Sequence, residues 1–198
     1  MAILQHSFDN PDRFVAGTVG RPGERSFFLQ ARQGNNLVSV LCEKQQVALL
    51  AEHLERMMDE VGKLVDGNLQ LPPPVAVARD NDPLDAPIEE EFRVGTMSLG
   101  FDLAEERITI ELFSVTGDAP EDEDEEDAAE QTPEMLAQRA EEVVRVRMTL
   151  PAVRDFIARA NAVLSAGRPP CPFCGQPVNA GGHICPRANG YRRPLFEG

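Results

Sequence analysis

Three short strand-like runs open the chain: Arg13 to Val19, Arg25 to Arg32 and Leu37 to Glu43. Gly20-Arg21-Pro22-Gly23 separates the first two and Gln33-Gly34-Asn35-Asn36 the next two, the punctuation of antiparallel hairpins. In the third run Val38, Val40 and Cys42 alternate with Leu37, Ser39, Leu41 and Glu43, so at least one face is apolar. The period then changes. Val47, Leu50, Ala51, Leu54, Met57, Met58, Val61 and Leu64 recur at steps of three and four, which predicts an amphipathic helix lying across the meander and ending at Gly62 or Gly67.

From Leu71-Pro72-Pro73-Pro74 to Pro87 the density of proline predicts an extended connector, because proline removes backbone donors and disfavours helix. The pattern then restarts. Glu91 to Asp102 and Arg107 to Val115 read as a hairpin and Glu142 to Leu150 as a third strand. A second helix follows, with Pro151 in its first turn and Val153, Phe156, Ile157, Ala160, Val163 and Leu164 on its buried side. The expected fold is therefore α+β: two antiparallel three-strand-plus-helix halves, βββα written twice, with a C-terminal zinc knuckle. The expected segments are 1–70 for the first half, 71–90 for the connector, 91–166 for the second half with an acidic loop at 117–133, and 167–198 for the tail.

A chain of 198 residues, 42% of them hydrophobic, has enough material for one sizeable domain or two small ones. No apolar run approaches the roughly eighteen residues of a membrane span, and Met1 to Asp12 lacks the features of a secretory signal, so the expectation is a soluble cytoplasmic protein with no membrane partner. The net charge of −14 is largely local. Glu121 to Asp127 is seven consecutive acids, and with Asp118 and Glu130 the stretch holds nine of the 33 carboxylates, leaving 24 acids against 19 bases elsewhere. Seven adjacent like charges repel and cannot be buried together, so this loop is expected to be a solvated spacer, with docking of a basic partner as the alternative.

The most specific chemistry lies in the tail. Cys171-Pro172-Phe173-Cys174-Gly175 and Gly182-His183-Ile184-Cys185-Pro186 contain three of the four cysteines within fifteen residues. Two cysteines at i and i+3 present both sulfurs to one ion when the backbone between them turns tightly, and turn amides can donate to the thiolates. His183 and Cys185 would complete four ligands for Zn²⁺, and four protein ligands leave no open position, so the ion is structural rather than catalytic. A thioredoxin-like redox pair is the lesser alternative, since the motif sits in a Pro/Gly-rich segment. Cys42, on an apolar strand, is expected to be a small buried side chain, or the fourth ligand if His183 is not. Beyond the last ligand, Arg187, Tyr191, Arg192 and Arg193 form a basic and aromatic patch able to meet phosphate or bases, or else to face the acidic body.

Several stretches resemble a known family. His6-Ser7-Phe8, Pro11 to Gly20, Pro22-Gly23-Glu24-Arg25, Glu43-Lys44-Gln45-Gln46-Val47, Pro170-Cys171-Pro172-Phe173-Cys174-Gly175 and Pro186-Arg187-Ala188-Asn189-Gly190 are similar to the uncharacterised actinobacterial DUF3090 proteins over nearly the whole length. The resemblance implies no activity. Its members look like companions of a histidine-phosphatase-like and a kinase-like protein, a hint about pathway only.

A second candidate site is weaker. Gly17, Gly20 and Gly23, with Arg13, Arg25 and Lys44, could form an anion-binding turn, although no Walker spacing follows and a tight hairpin accounts for the glycines without a ligand. His6, Asp9, Asp12 and Glu43 could join these residues at the strand ends. No Ser-His-Asp set, metalloprotease motif or paired catalytic carboxylate stands out, so an enzyme is the less favoured class. The sequence therefore points first to a non-enzymatic binding or adaptor protein that presents a structural zinc knuckle to a protein partner. The alternative is an enzyme or ligand-binding domain acting on a phosphorylated small molecule through the Gly17 to Arg25 turn. Nucleic-acid binding through Arg187 to Arg193 is a third, weaker reading.

Overall fold

The computed structural model describes residues 3–21, 23–64, 71–115, 135, 138–167, 171, 173, 174, 185 and 187. It is α+β: one seven-stranded mixed sheet with two long helices among the described residues. The strands are β1 (Leu4–Asp9), β2 (Arg13–Val19), β3 (Ser26–Gln33), β4 (Asn36–Cys42), β5 (Glu90–Asp102), β6 (Arg107–Ser114) and β7 (Glu142–Thr149). The helices are α1 (Lys44–Leu64), after β4, and α2 (Leu150–Ser165), after β7. Thr149 caps α2 by accepting from the Ala152 amide, and Pro151 lies in its first turn as expected.

The sheet order is β1-β7-β6-β5-β4-β3-β2. β2-β3-β4 and β5-β6-β7 are antiparallel meanders, each followed by a helix, joined side by side through the parallel β4/β5 pair. The sequence reading omitted β1, which pairs in parallel with β7. Its exposed Leu4, half-buried His6 and buried Phe8 give it one core-facing side chain, too little apolar signal to read as a strand. β1 also shapes the sheet. Only Asn10-Pro11-Asp12 separates it from β2 on the opposite edge, and that link spans at most about 14 Å. The edges of a flat seven-stranded sheet would lie about 29 Å apart, so the sheet must curl. The Gln33 side-chain amide donates to the Asp9 carbonyl and the Gly34 amide to Asp12 across that closure.

The two helices pack on each other within one core. Val47, Leu50, Leu54 and Met58 of α1 and Val153, Phe156, Ile157 and Ala160 of α2 join Phe8, Phe14, Leu29, Val40, Ile108, Ile110, Leu112, Val144 and Val146 from the strands. Phe14 and Phe156 stack at 4.9 Å. Gly62 does not end α1 but lies inside it, and a Cβ there would meet Leu71 at 2.5 Å. Its smallness admits the returning connector. Gly67, the other expected stop, lies outside the described residues, as does the acidic loop.

The proline-rich connector lies as a strap against the sheet. Its residues 80–85 run along β2 and onto β3. Gln30, 1% exposed, exchanges hydrogen bonds with Asp85 in both directions, its Nε2 donating to the carbonyl at 2.9 Å and its Oε1 accepting from the amide at 2.7 Å. Gly17 lies under Leu84, whose branched carbons would sit 2.5 to 3.0 Å from a Cβ at that position.

Candidate functional site

The tail chemistry rests on three sulfurs. Cys171, Cys174 and Cys185 bring their Sγ atoms within 4.8 Å of one another, with Cys171 and Cys185 buried. The Cys171 and Cys185 sulfurs are 3.7 Å apart. Four thiolates or imidazoles around tetrahedral Zn²⁺, with Zn–S near 2.3 Å, place sulfurs about 3.8 Å apart. The donor set and its spacing therefore fit that ion. Backbone hydrogen bonds from Cys174 and Phe173 stabilise the Cys171 thiolate and lower its pKa to about 6, against the opposing effect of burial. Because a thiolate, not a thiol, is the metal ligand, the turn prepares Cys171 for coordination. Arg187 closes the second arm on the first by donating to the Phe173 carbonyl at 3.2 Å. His183 lies outside the described residues, as do Tyr191, Arg192 and Arg193. Cys42 is not in the cluster. It is buried on β4 with its Sγ donating to the Phe27 carbonyl, and burial, reinforced by the Glu43 charge, pushes its thiol up to about 12.

The residues expected around the Gly17 to Arg25 turn go to different places. Arg13 donates from Nε and Nη2 to Asp80 at 2.7 and 3.0 Å and from Nη1 to Asp85 at 3.1 Å, and its pKa is raised, chiefly by the bond to Asp80. Gly17 faces Leu84, while Gly20 and Gly23 adopt φ of +103°, the conformation a tight hairpin demands. Arg25 donates to the Ala166 carbonyl at the end of α2, where a cation is favoured by the negative end of the helix dipole. Arg25 and Lys44 do meet, with Glu43 and Arg93, around a depression of about 200 Å³ at the start of α1. His6 lies elsewhere, beside Glu91 and Glu142.

A polar network that sequence reasoning missed holds the strap. Arg159, 6% exposed on α2, donates to Asp80 Oδ1 at 2.7 Å and to the carbonyls of Ala16, Asp80 and Asp82. Asp80 thus serves two arginines at once. Its carboxyl is held below the usual carboxylate range, foremost by the Arg13 hydrogen bond. The Arg159 guanidinium shifts downward, since burial and neighbouring Arg13 outweigh the pull of Asp80. It remains charged, because guanidinium does not deprotonate in proteins. The available signal was Arg159 beside Ala160 on the apolar side of α2, together with three aspartates in the short run from Asp80 to Asp85.

No helix among the described residues is long and apolar enough to cross a membrane. A family model described as a protein of unknown function, DUF3090, matches residues 6–185, which is most of the chain. No curated protein and no solved structure matches it.

Proposed function

We propose, for a chain that belongs to the DUF3090 family, a non-enzymatic binding role in which a structural Zn²⁺ knuckle fixes a C-terminal surface for a protein partner. One observation carries this reading: three cysteine sulfurs gathered within 4.8 Å. Thiolates favour Zn²⁺ over the harder divalent ions, and His183, two residues before Cys185, supplies the fourth ligand. A closed set of four leaves the ion no position for substrate, so its work is to hold shape. The partner is a protein that reads the basic and aromatic residues Arg187, Tyr191, Arg192 and Arg193 that follow the last cysteine in sequence. The two meander-plus-helix halves are a repeat of pattern on which this tail is carried. Elemental analysis of the purified chain tests the reading, with about one zinc per chain expected. Absence of zinc, or a Cys174→Ser variant that keeps its full zinc content, would sink it.

The convergence of Arg25, Lys44 and Arg93 at the start of α1 favours a second reading, a site for a phosphorylated small molecule. A ligand that binds only the folded state raises its melting temperature. A screen of nucleotides and sugar phosphates with no shift would remove this reading.

A further inference from the structure

We infer that the protein carries a second metal site, chemically unlike the cysteine tail, in which His6, Glu91 and Glu142 hold one first-row divalent cation. The three residues come from three strands: His6 from β1, Glu142 from β7 and Glu91 from β5. His6 is level with Val144 on β7, a core residue, so His6 and Glu142 are diagonal neighbours on the core-facing side of the parallel pair. Glu91 lies three residues before Val94, which is paired with Ser114, the last residue of β6. Its carboxylate reaches to 3.7 Å from His6 Nε2 near this end of the sheet.

The geometry suits an ion better than a hydrogen-bonded triad. His6 Nε2 is 3.7 Å from Glu91 Oε1 and 3.7 Å from Glu142 Oε2, beyond hydrogen-bond length in both cases. Nε2 of His6 and Oε2 of Glu142 are both inaccessible to solvent and have no hydrogen-bond partner among the described residues. A buried polar atom left unpaired costs free energy, and two of them aimed at one point need a common partner. Metal–ligand distances near 2.1 Å put tetrahedral donors about 3.4 Å apart, close to the 3.7 Å between His6 and each glutamate, and all three donor atoms lie within 4.8 Å of one another. Two carboxylates neutralise the charge of a divalent ion, and imidazole with carboxylate suits Zn²⁺ and also the harder Mn²⁺ and Fe²⁺, which thiolates favour less. Glu91, 40% exposed, gives the ion a path from solvent. Three protein ligands leave at least one coordination position for water or an anionic ligand, which the four-ligand tail does not.

Mn²⁺ is the discriminating probe, because it competes poorly for thiolates. The full-length, zinc-loaded chain is titrated with Mn²⁺ and free Mn²⁺ is read by electron paramagnetic resonance. In parallel the Cys174→Ser chain is titrated with Zn²⁺. One saturable ion per chain is expected in at least one arm. Glu91→Gln and His6→Gln each weaken it by at least about tenfold, the lower end of what even supporting residues around a metal cost when lost. Glu91→Gln alters an accessible side chain, and an unchanged urea midpoint in metal-free buffer confirms that it still folds. No saturable binding in either arm overturns the inference, and so does binding of equal strength in the wild type and Glu91→Gln.

Discussion

Replacing Asp80 with Asn asks whether the proline-rich connector is locked onto the sheet or merely lies near it. The carboxylate accepts from Arg13 and Arg159, whose side chains are 11% and 7% exposed. Removing one partner of a buried ion pair costs about 3–5 kcal/mol, because a charge is left behind in a poorly solvated place. Two features reduce that figure. Asp80 itself is 35% exposed, and both arginines keep other acceptors: Asp85 and the Asp82 carbonyl for Arg13, and the Ala16, Asp80 and Asp82 carbonyls for Arg159. A loss of about 2–3 kcal/mol at pH 7 is expected, or about 4–12 °C in melting temperature for a protein of this size. The pH dependence supplies a second check. The folded pKa of Asp80 is depressed from 3.8, so its contribution is present above the unfolded value and is lost as pH falls through the folded one. Urea titrations of wild type and Asp80→Asn should therefore differ fully at pH 7 and converge toward the acid end. A difference under about 0.5 kcal/mol, the size of an ordinary surface change, would refute the strap. A gap that persists unchanged into acid would refute the charge argument.

Other substitutions probe separate parts of the molecule. Gly17→Ala should cost about 1–3 kcal/mol, the usual range for overpacking, since Leu84 must move; an unchanged urea midpoint would mean the strap yields freely. Cys174→Ser should release zinc and expose the tail to proteolysis, measured by elemental analysis and limited digestion, and retention of the ion would place the site elsewhere. Cys42, with its pKa pushed up to about 12, holds about one thiolate in ten thousand at pH 8. It should resist iodoacetamide until the chain unfolds, so rapid labelling of a Cys171→Ser/Cys174→Ser/Cys185→Ser variant would show that β4 is open.

What could be read from the sequence was what repeats locally. Alternation and turn residues located β2, whose bounds Arg13–Val19 agree, and β3 to β7 within a residue at either end, while the three-four stripe located both helices. What escaped is long-range. β1 is recognisable only through β7, its parallel partner more than 130 residues away, because most of its side chains are not buried. The connector read only as extended chain because proline says where hydrogen bonds are missing but not what the aspartates between prolines will meet. Asp80 is 67 residues from Arg13 and 79 from Arg159. The cysteine cluster was legible for the opposite reason, since its donors fall within fifteen residues. Glu91 and Glu142 carry no motif at all; the β1/β7 pairing brings Glu142 to His6, and Glu91 comes from β5, two strands beyond β7.

That contrast in range has a mechanical consequence. The tail's cysteines fall within fifteen residues, so a metal held there would contribute folding energy to the segment it ties. The His6, Glu91 and Glu142 set spans β1, β5 and β7, so an ion held there pins the first strand to both meander ends and must raise the stability of the sheet itself. β1 is the strand whose three-residue link to β2 forces the curl, and among the described residues its strand partner is β7. Fixing its start would therefore steady the closure on which the core depends. The two donor sets thus differ in what loss of metal undoes. A chelator that strips both ions should abolish tail-dependent binding through the cysteines, and it should lower the cooperative unfolding midpoint through the histidine and glutamates alone.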